Sequence, residues 1–227
     1  MPHQQQALQE SRRFGVKPVP LLRPLGWLAC GWRDLWRAPL PSLLQGLMLA
    51  LPGAALLLLA RHQFWLLAGS FSAFLLVAPI LATGFYAQSR ELALGRRPGL
   101  RTILRAWRPR DGRLIGFGLL LALAGGGWLL MSAALVTAFA PAPIERPLDF
   151  LRLVVLSEES HLFEAWLALG ALLAAPVFAS CMVTIPMLLD RQISIFGAVY
   201  TSWRVVMEHP AVAALWAALI MGLTLIG

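Results

Sequence analysis

Five stretches of the chain are long, apolar and free of charged residues, and they limit the fold more than any other feature. They cover residues 40–60, 64–87, 114–140, 165–189 and 210–227, and each is 18 to 27 residues long. A helix needs about 18 or more such residues to cross the hydrocarbon core of a bilayer. The sequence therefore predicts an all-α, polytopic transmembrane helical bundle with about five spans.

The composition argues against a soluble helical protein with a large core. Charged residues make up 13% of the 227 residues and hydrophobic ones 59%, whereas soluble globular domains have roughly 25% charged residues. So few charges leave too little polar surface to cover a water-soluble body. The net charge of +8 would suggest a nucleic-acid partner on a soluble chain. Here the cations lie at the ends of apolar runs, where they meet anionic lipid headgroups.

The segment between the second and third runs, residues 88–113, is the most basic part of the chain. It has eight arginines and two acidic residues, and residues 1–39 have a net charge of +4. The loops expected on the other side, residues 61–63 and 141–164, have one and two arginines. Because loops rich in Lys and Arg stay in the cytoplasm, the N-terminus and the basic segment are predicted to be cytoplasmic, in a bacterial inner (plasma) membrane.

Three stretches are predicted to be amphipathic helices on the cytoplasmic surface of the membrane: residues 23–38, 98–109 and 193–209. The first two have tryptophan and leucine on one face and arginine beside it, which is typical of a helix that lies in the interface. Arginine side chains in such helices extend toward the headgroups. The residues predicted to anchor these helices are Trp32, Arg33, Arg97, Arg101, Arg105, Trp107, Arg108, Trp203 and Arg204.

The N-terminal residues 1–22 are polar and lack the apolar core of a signal peptide. They are predicted to form a flexible cytoplasmic tail. Residues 23–227 are predicted to form a single transmembrane domain.

Small residues recur at every fourth position in two of the predicted spans, a spacing that lets another helix approach closely. The residues predicted to pack in this way are Gly118, Ala122, Gly126, Ala171, Ala175 and Ala179. Proline also occurs inside the predicted spans, at Pro52, Pro79 and Pro186. Because proline bends a helix, these spans are expected to bend and could enclose a cavity.

A Trp-Arg pair recurs along the chain and indicates an internal repeat. Trp32 and Trp203 are each followed by an arginine, and each precedes a proline by seven residues. The repeat predicts units that consist of a surface helix followed by a helical hairpin. The last unit has only one of its two spans, so a sixth span is expected in the full protein.

Four stretches resemble an uncharacterised family of bacterial integral membrane proteins, the domain of unknown function 2189. They are GWRDLWRAPLPSLLQG (31–46), FLLVAPILATGFYAQSRELALGRRPGL (74–100), IPMLLDR (185–191) and TSWRVVMEHP (201–210). The resemblance implies a polytopic membrane protein with the same order of loops and spans, and a further hydrophobic stretch after residue 227. It implies no established activity. Some members of the family are labelled as similar to cytochrome c oxidase subunit I.

The residues of the predicted spans argue against that label and against cofactors in general. Haem in a membrane needs axial ligands at depth, usually His, and copper needs a cluster of His or soft ligands. The first four runs contain no histidine, and none of the five contains Asp, Glu, Lys or Arg, the groups of proton relays. Ser180 and Cys181 have no acid or base partner at that depth. No cofactor, metal ligand or catalytic residue is predicted.

Three functional hypotheses are compatible with these features. The first is a cofactor-free accessory or scaffold protein that contacts another membrane protein, or a second copy of the chain, through its small-residue stripes. The second is a facilitator of a small molecule or lipid, with a cavity between proline-bent helices. The third, an enzyme, is the least favoured. The predicted partner in every case is a bilayer with anionic headgroups, and no nucleic acid.

Overall fold

Helix is the only regular secondary structure in the part of the chain that the structure describes. The computed structural model describes residues 2–60, 64–107, 112–144, 146–157 and 161–226, with side chains except at 2, 3, 60, 64, 65, 68, 71–80 and 225. The helices are α1 (Pro2–Arg12), α2 (Arg23–Arg37), α3 (Pro39–Ala60), α4 (Phe64–Ala93), α5 (Leu100–Trp107), α6 (Arg113–Phe139), α7 (Pro147–Phe150), α8 (Leu162–Cys181), α9 (Thr184–Asp190), α10 (Ile195–Glu208) and α11 (Pro210–Ile226). A π-helical turn at Leu151–Val155 follows α7. The predicted all-α class is confirmed.

Three described segments are long and apolar enough to cross a membrane: Pro39–Leu59, Arg113–Phe139 and Leu162–Asp190. A fourth arises only if α10 and α11 count as one span, and their axes bend by 102° at the break between them. The last predicted span, 210–227, corresponds to α11, which is 17 residues long. The helix α4 occupies the second predicted span, but its side chains at 71–80 lie outside the described residues. The predicted count of five spans therefore remains a prediction.

The three predicted surface stretches are all helical. Residues 23–38 correspond to α2, residues 98–109 to α5 and residues 193–209 to α10. The beginning of α10 is set by Ser194, whose hydroxyl accepts a hydrogen bond from the amide of Gly197 at 3.1 Å. This is the usual way in which serine satisfies a free amide at the first turn of a helix. The position of these helices on a membrane surface remains a prediction.

Within the segment predicted to be a flexible tail, residues 2–12 form the helix α1. This helix packs against α10, and the side chains of Ala7 and Ser11 are 2% and 1% exposed. Both residues lie on one face of α1, since they are four positions apart. This helix could not be predicted from the local sequence, because α1 is polar on average and its contact with α10 joins residues far apart in the chain.

The chain forms two compact units, and the single transmembrane domain over residues 23–227 remains a prediction. Unit 1 comprises Met1–Leu43, Thr83–Leu114 and Phe178–Gly227, and unit 2 comprises Leu44–Ala82 and Ile115–Val177. In unit 1, Trp27 of α2 meets Trp216 of α11 edge to face, with ring centroids 5.6 Å apart. Such aromatic pairs favour this geometry.

The core of unit 2 lies where α6 and α8 meet the segment between them. Its buried residues are Val136, Ile144, Val154 and Leu162. Trp166 packs against this cluster, and its indole N–H donates a hydrogen bond to the hydroxyl of Ser132 at 2.6 Å. A buried tryptophan usually finds such a partner for its N–H.

The predicted close-packing residues have different surroundings. Gly118 and Ala179 are buried, Ala122 and Gly126 are half-buried, and Ala171 and Ala175 are exposed. No described atom lies within 4 Å of where a Cβ of Gly126 would be. The close approach of α6 and α8 lies instead at Gly170, where the Trp128 ring is 3.1 Å from the position of such a Cβ. This glycine was not predicted, because a single glycine opposite a tryptophan leaves no periodic pattern.

Candidate functional site

A cleft of about 540 Å³ in unit 1 is the candidate functional site. We call it the basic cleft. Its walls come from the end of α4, the following loop, α5, the start of α6, and α9. The lining residues are Thr83, Tyr86, Ala87, Arg90, Glu91, Leu94, Arg96, Thr102, Arg105, Ala106, Arg113, Leu114, Pro186, Leu188, Leu189, Asp190 and Gln192. Its volume is that of an ordinary small-molecule site.

The end of α4 has a geometry that turns the chain back toward the basic cleft. Gly95 adopts a φ of 73°, a left-handed conformation that glycine accepts most easily. The amide of Gly95 donates to the carbonyl of Leu92 at 3.0 Å, and the amide of Arg96 donates to that of Glu91 at 2.9 Å. These two bonds form a Schellman motif. It brings the guanidinium of Arg96 within 3.8 Å of the Glu91 carboxylate.

Arg90, near the end of α4, forms an ion pair with Asp190 at the end of α9. Their charged atoms are 3.2 Å apart, and the two side chains are 62% and 58% exposed. An ion pair this exposed contributes little to stability, because water screens both charges. Arg90 can therefore exchange Asp190 for another anion at small cost.

Arg113, at the first position of α6, is engaged by backbone atoms. Its guanidinium donates to the carbonyl of Arg191 at 3.0 Å and to that of Ile193 at 2.7 Å. The carbonyls at the end of a helix lack partners within the helix, and a cation there also compensates the helix dipole. Arg113 thus holds the chain that follows α9 in place beside the basic cleft.

Arg105, on α5, differs from the other three arginines of the basic cleft. Among the residues that the structure describes, none forms an ion pair or a hydrogen bond with its guanidinium. Four arginines and two carboxylates line the cleft, so its lining has a net charge of +2. Guanidinium groups bind phosphate and carboxylate through paired hydrogen bonds. Leu94, Leu114 and Leu188 give part of the wall an apolar character, and the arrangement fits an anionic group attached to an apolar one.

The predicted anchoring residues divide into three groups in the structure. Trp32, Arg33, Arg97 and Arg101 are exposed, and Arg105 is exposed within the lining of the basic cleft. Trp107 is half-buried, and Arg108 lies outside the described residues.

Two predicted anchoring residues on α10 have partners within the chain. The indole N–H of Trp203 donates to the hydroxyl of Ser180 at 2.9 Å. The guanidinium of Arg204 donates to the carbonyl of Ser11 at 2.9 Å. The α10 side chains that the Trp-Arg repeat singles out therefore contribute to packing within unit 1.

Several residues of the basic cleft were not predicted as site residues. Arg90, Arg96 and Arg113 were recognised only as parts of a basic segment, and Asp190 was not singled out. Their charge could be read from the sequence, whereas the proximity of Arg90 to Asp190, 100 positions later, could not. Of the three prolines that were expected to bend spans around a cavity, Pro186 lines the basic cleft. Pro52 is exposed, and the side chain of Pro79 lies outside the described residues.

The described residues contain no group of three or more His, Cys, Asp and Glu side chains arranged to hold a metal ion.

Comparison with known proteins gives a family. The model of a family described as predicted integral membrane protein, DUF2189, matches residues 66–190. No curated protein and no solved structure matches the chain. The match includes α6, α8 and α9 and much of the basic cleft. Since it extends over more than half of the chain, the chain belongs to the DUF2189 family of predicted integral membrane proteins.

Proposed function

We propose that this integral membrane protein is a lipid-handling protein that holds a phosphate-bearing headgroup in the basic cleft. The observation that carries the proposal is the combination, in one cleft of about 540 Å³, of a net charge of +2, a leucine-lined wall and an arginine that has no partner among the described residues. A phosphate attached to an acyl chain has the complementary chemistry, because guanidinium binds phosphate and leucine favours hydrocarbon.

The location of the basic cleft relative to the membrane supports a lipid as the source of that phosphate. The cleft lies where α9 ends, α6 begins and α4 ends, so it adjoins the ends of two candidate spans. Headgroups lie at this level of a bilayer, and arginine at the end of a span commonly contacts them. A soluble phosphorylated compound would reach the same arginines from water.

Binding of phosphatidic acid, a phosphomonoester lipid, tests the proposal. Purified protein is titrated with this lipid and with zwitterionic phosphatidylcholine, and the bound lipid is measured by native mass spectrometry. Arg105→Gln removes the guanidinium that has no partner among the described residues. We expect about a tenfold loss of phosphatidic acid binding, because a hydrogen bond to a charged group is worth about 1.5–3 kcal/mol. Arg101→Gln is the matched control, because Arg101 is an exposed arginine of α5 outside the cleft lining.

Competition with inorganic phosphate separates the two sources of the anion. If the lipid is the ligand, millimolar phosphate leaves phosphatidic acid bound, because only the lipid also contacts the leucines. If phosphate displaces the lipid in proportion to its concentration, the cleft binds a soluble phosphate compound. Equal losses in Arg105→Gln and Arg101→Gln, or equal binding of phosphatidylcholine, would refute the basic cleft as the site.

We further propose that four helical segments cross the membrane between α1 and α10, namely α3, α4, α6 and α8 with α9. The support is topological. Residues of α1 and α10 touch, with the Ser194 amide 3.0 Å from the Glu10 carboxylate, so both must lie on one side of the bilayer. Contact on one side requires an even number of crossings, and α4 added to the three candidate spans gives four.

The charge distribution supports the cytoplasm of a bacterial cell as that side, with the protein in the inner membrane. The segment 88–113 has a net charge of +6, and its side is the one that Arg and Lys prefer. The surface position of α2, α5 and α10 follows from the same assignment. Trp32, Arg33, Arg97 and Arg101 are exposed, as anchoring side chains must be.

A second function, that of an accessory or scaffold protein, is favoured by a different observation. Ala171 and Ala175 of α8 are exposed, and the space beside Gly125, Gly126 and Gly127 of α6 is open. Small residues of this kind allow another helix to approach closely. The test is a pair of substitutions, Ala171→Leu and Ala175→Leu, assayed by co-purification of native partners from membranes. Loss of a partner in these variants, with Leu172→Ala as the control on the same helix, would favour the scaffold.

A further inference from the structure

The first 17 residues contact α10 at its beginning, its middle and its end. We call residues 2–17 the N-terminal strap. At the beginning of α10, the Glu10 carboxylate accepts hydrogen bonds from the Ser194 hydroxyl at 2.5 Å and from its amide at 3.0 Å. A carboxylate stabilises the positive end of a helix dipole. Glu10 thus acts as an N-terminal cap that is supplied by a distant part of the chain.

The rest of the strap is held by basic groups of α10 and of the residue that follows it. Arg204 donates to the carbonyl of Ser11 at 2.9 Å. The ring of His209, which follows α10, is 3.1 Å from the carbonyl of Lys17. Residues Glu10, Ser11 and Lys17 thus pair in order with Ser194, Arg204 and His209, so the strap runs along α10 in the same direction.

Among the described helices, α10 is the main partner of α1. An isolated helix of fewer than about 12–15 residues is marginal in water, and α1 has 11 residues. On its packed face Ala7 is a small apolar residue, and the hydroxyl of Ser11 is buried and has no hydrogen-bond partner in the part of the chain that the structure describes. Such a buried hydroxyl costs free energy. Folding of α1 is therefore coupled to docking, and the contact can open as one step.

α10, which the strap contacts, also stabilises a break in the candidate span Leu162–Asp190. The segment Leu162–Asp190 is interrupted between α8 and α9, four residues before Pro186, where a proline ring displaces the backbone carbonyl. Ser202 of α10 lies against the break. Its hydroxyl accepts a hydrogen bond from the Val183 amide at 3.1 Å and donates one to the Ala179 carbonyl at 2.6 Å. α10 thus satisfies backbone groups that the break leaves free.

We propose that the N-terminal strap is a releasable clamp on α10. The contact of the Glu10 carboxylate with Ser194 is the latch, because it keeps the strap docked. Release of the strap loosens the break between α8 and α9. The clamp has two states. When Glu10 binds at the beginning of α10, the strap is helical and Ser202 is held against the break. When Glu10 is released, the strap unfolds and α10 is held only by its other contacts. This device goes beyond lipid binding and does not depend on it.

Thiol accessibility tests the latch. In a Cys30→Ser, Cys181→Ala background, Ser11→Cys places a thiol of similar size at a position that is 1% exposed, and Gln6→Cys places one at an exposed position of α1. We expect Ser11→Cys to react with a maleimide much more slowly than Gln6→Cys. Adding Glu10→Ala to the Ser11→Cys protein should raise the rate of its maleimide labelling by about tenfold or more. This substitution keeps a good helix former in α1. Gln9→Ala, at an exposed neighbour, should leave the rate unchanged.

Hydrogen exchange of the protein with its native cysteines tests the second half of the proposal. We expect Glu10→Ala to speed exchange in peptides that contain residues 179–190, whereas Gln9→Ala does not, and exchange in α6 should stay constant as a check on folding. Unchanged labelling of Ser11→Cys in Glu10→Ala would overturn the latch. Faster labelling with unchanged exchange at 179–190 would overturn the coupling to the break.

Discussion

At the scale of single residues, the arginines of the basic cleft have the same side chain and different roles. Arg113 has two backbone acceptors, Arg90 has an exposed carboxylate partner, and Arg105 has no partner among the described residues. A guanidinium that already has partners contributes to stability, whereas one without them has hydrogen bonds to offer to a ligand. The residues of this site are therefore separable by experiment.

Substitution of Arg113 by Gln is expected to lower stability more than substitution of Arg105. The change removes a guanidinium from the carbonyls of Arg191 and Ile193, at a cost of about 1–2 kcal/mol, since both bonds are charge-assisted but partly exposed to water. Arg105→Gln is expected to leave the unfolding midpoint unchanged. Thermal unfolding of both variants in the same detergent measures the difference, and equal midpoints would contradict the assigned role of Arg113.

Gly95 is expected to be intolerant of a side chain although there is space for one. No described atom lies within 4 Å of an added Cβ, but the φ of 73° is unfavourable for other residues. Gly95→Ala should therefore destabilise the end of α4 by about 1–2 kcal/mol. Gly26→Ala, inside α2 and equally open, should stabilise that helix by up to about 1 kcal/mol. Two variants that unfold at the same temperature would argue against the Schellman motif.

At the scale of helices, the break between α8 and α9 shows how a proline becomes part of a structure. Pro186 ends the regular hydrogen bonding of the span, and Ser202 provides substitute partners for Val183 and Ala179. By contrast, α3 continues through Pro52 and α8 through Pro176. At Pro186, α10 lies beside the break and Ser202 binds the backbone groups there.

Removal of the Ser202 hydroxyl is expected to open this break. Ser202→Ala leaves the Val183 amide and the Ala179 carbonyl without their partner, which costs about 1–3 kcal/mol. Thr224→Ala is the control, because that hydroxyl is exposed and donates only to Ile220 of its own helix. Hydrogen exchange at Val183 should accelerate in the first variant only. Retained protection at Val183 would show that another acceptor satisfies it.

Docking of the N-terminal strap is expected to depend on pH in the acidic range. The hydrogen bond from the Ser194 hydroxyl lowers the pKa of Glu10 most strongly, the Ser194 amide and Arg13 act in the same direction, and burial opposes them in part. A carboxylate with a lowered pKa stabilises the folded state above its unfolded pKa, and this stability is lost as the pH falls through the folded pKa.

Protection of Ser11→Cys should therefore be constant above about pH 5 and decline below about pH 4. A reagent that reacts with the neutral thiol, such as an alkene in a photoinitiated thiol–ene addition, is needed for this range. The other charged groups of the two helices, Arg12, Arg204 and Glu208, stay in place in a Glu10→Gln variant, as does Arg13 directly after α1. That variant should lack the acidic transition, and a transition that persists in it would assign the effect to another group.

Charge-free runs and amphipathic stretches were sufficient to predict that the chain is helical and where most helices lie, because both patterns depend on residues close in sequence. The α1 helix and the basic cleft could not be predicted in the same way. Glu10 meets Ser194 and Arg90 meets Asp190, and nothing in the local sequence specifies these pairs. Gly170, the glycine that accommodates Trp128, is similarly defined by its partner.

At the scale of the whole molecule, the proposed topology depends on which parts of the chain share a side of the membrane. Within unit 1, α1 contacts α10, Arg90 contacts Asp190 and Arg113 contacts the chain after α9. These contacts gather the basic segments and the ends of the spans together. Such contacts imply an even number of crossings between the segments involved. From the excess of arginine in these segments we propose that all of them lie inside the cell.

Labelling of single cysteines in sealed membranes with a membrane-impermeant reagent tests this claim most directly. The positions are Gln9, Arg97 and Gln192 in unit 1 and Pro143 in the loop between α6 and α8, all of them exposed, in a chain without other cysteines. We expect Pro143→Cys to react from outside intact cells, and the other three only after the membrane is opened. Reaction of Arg97→Cys from outside, or of Gln9→Cys and Gln192→Cys from opposite sides, would contradict the account.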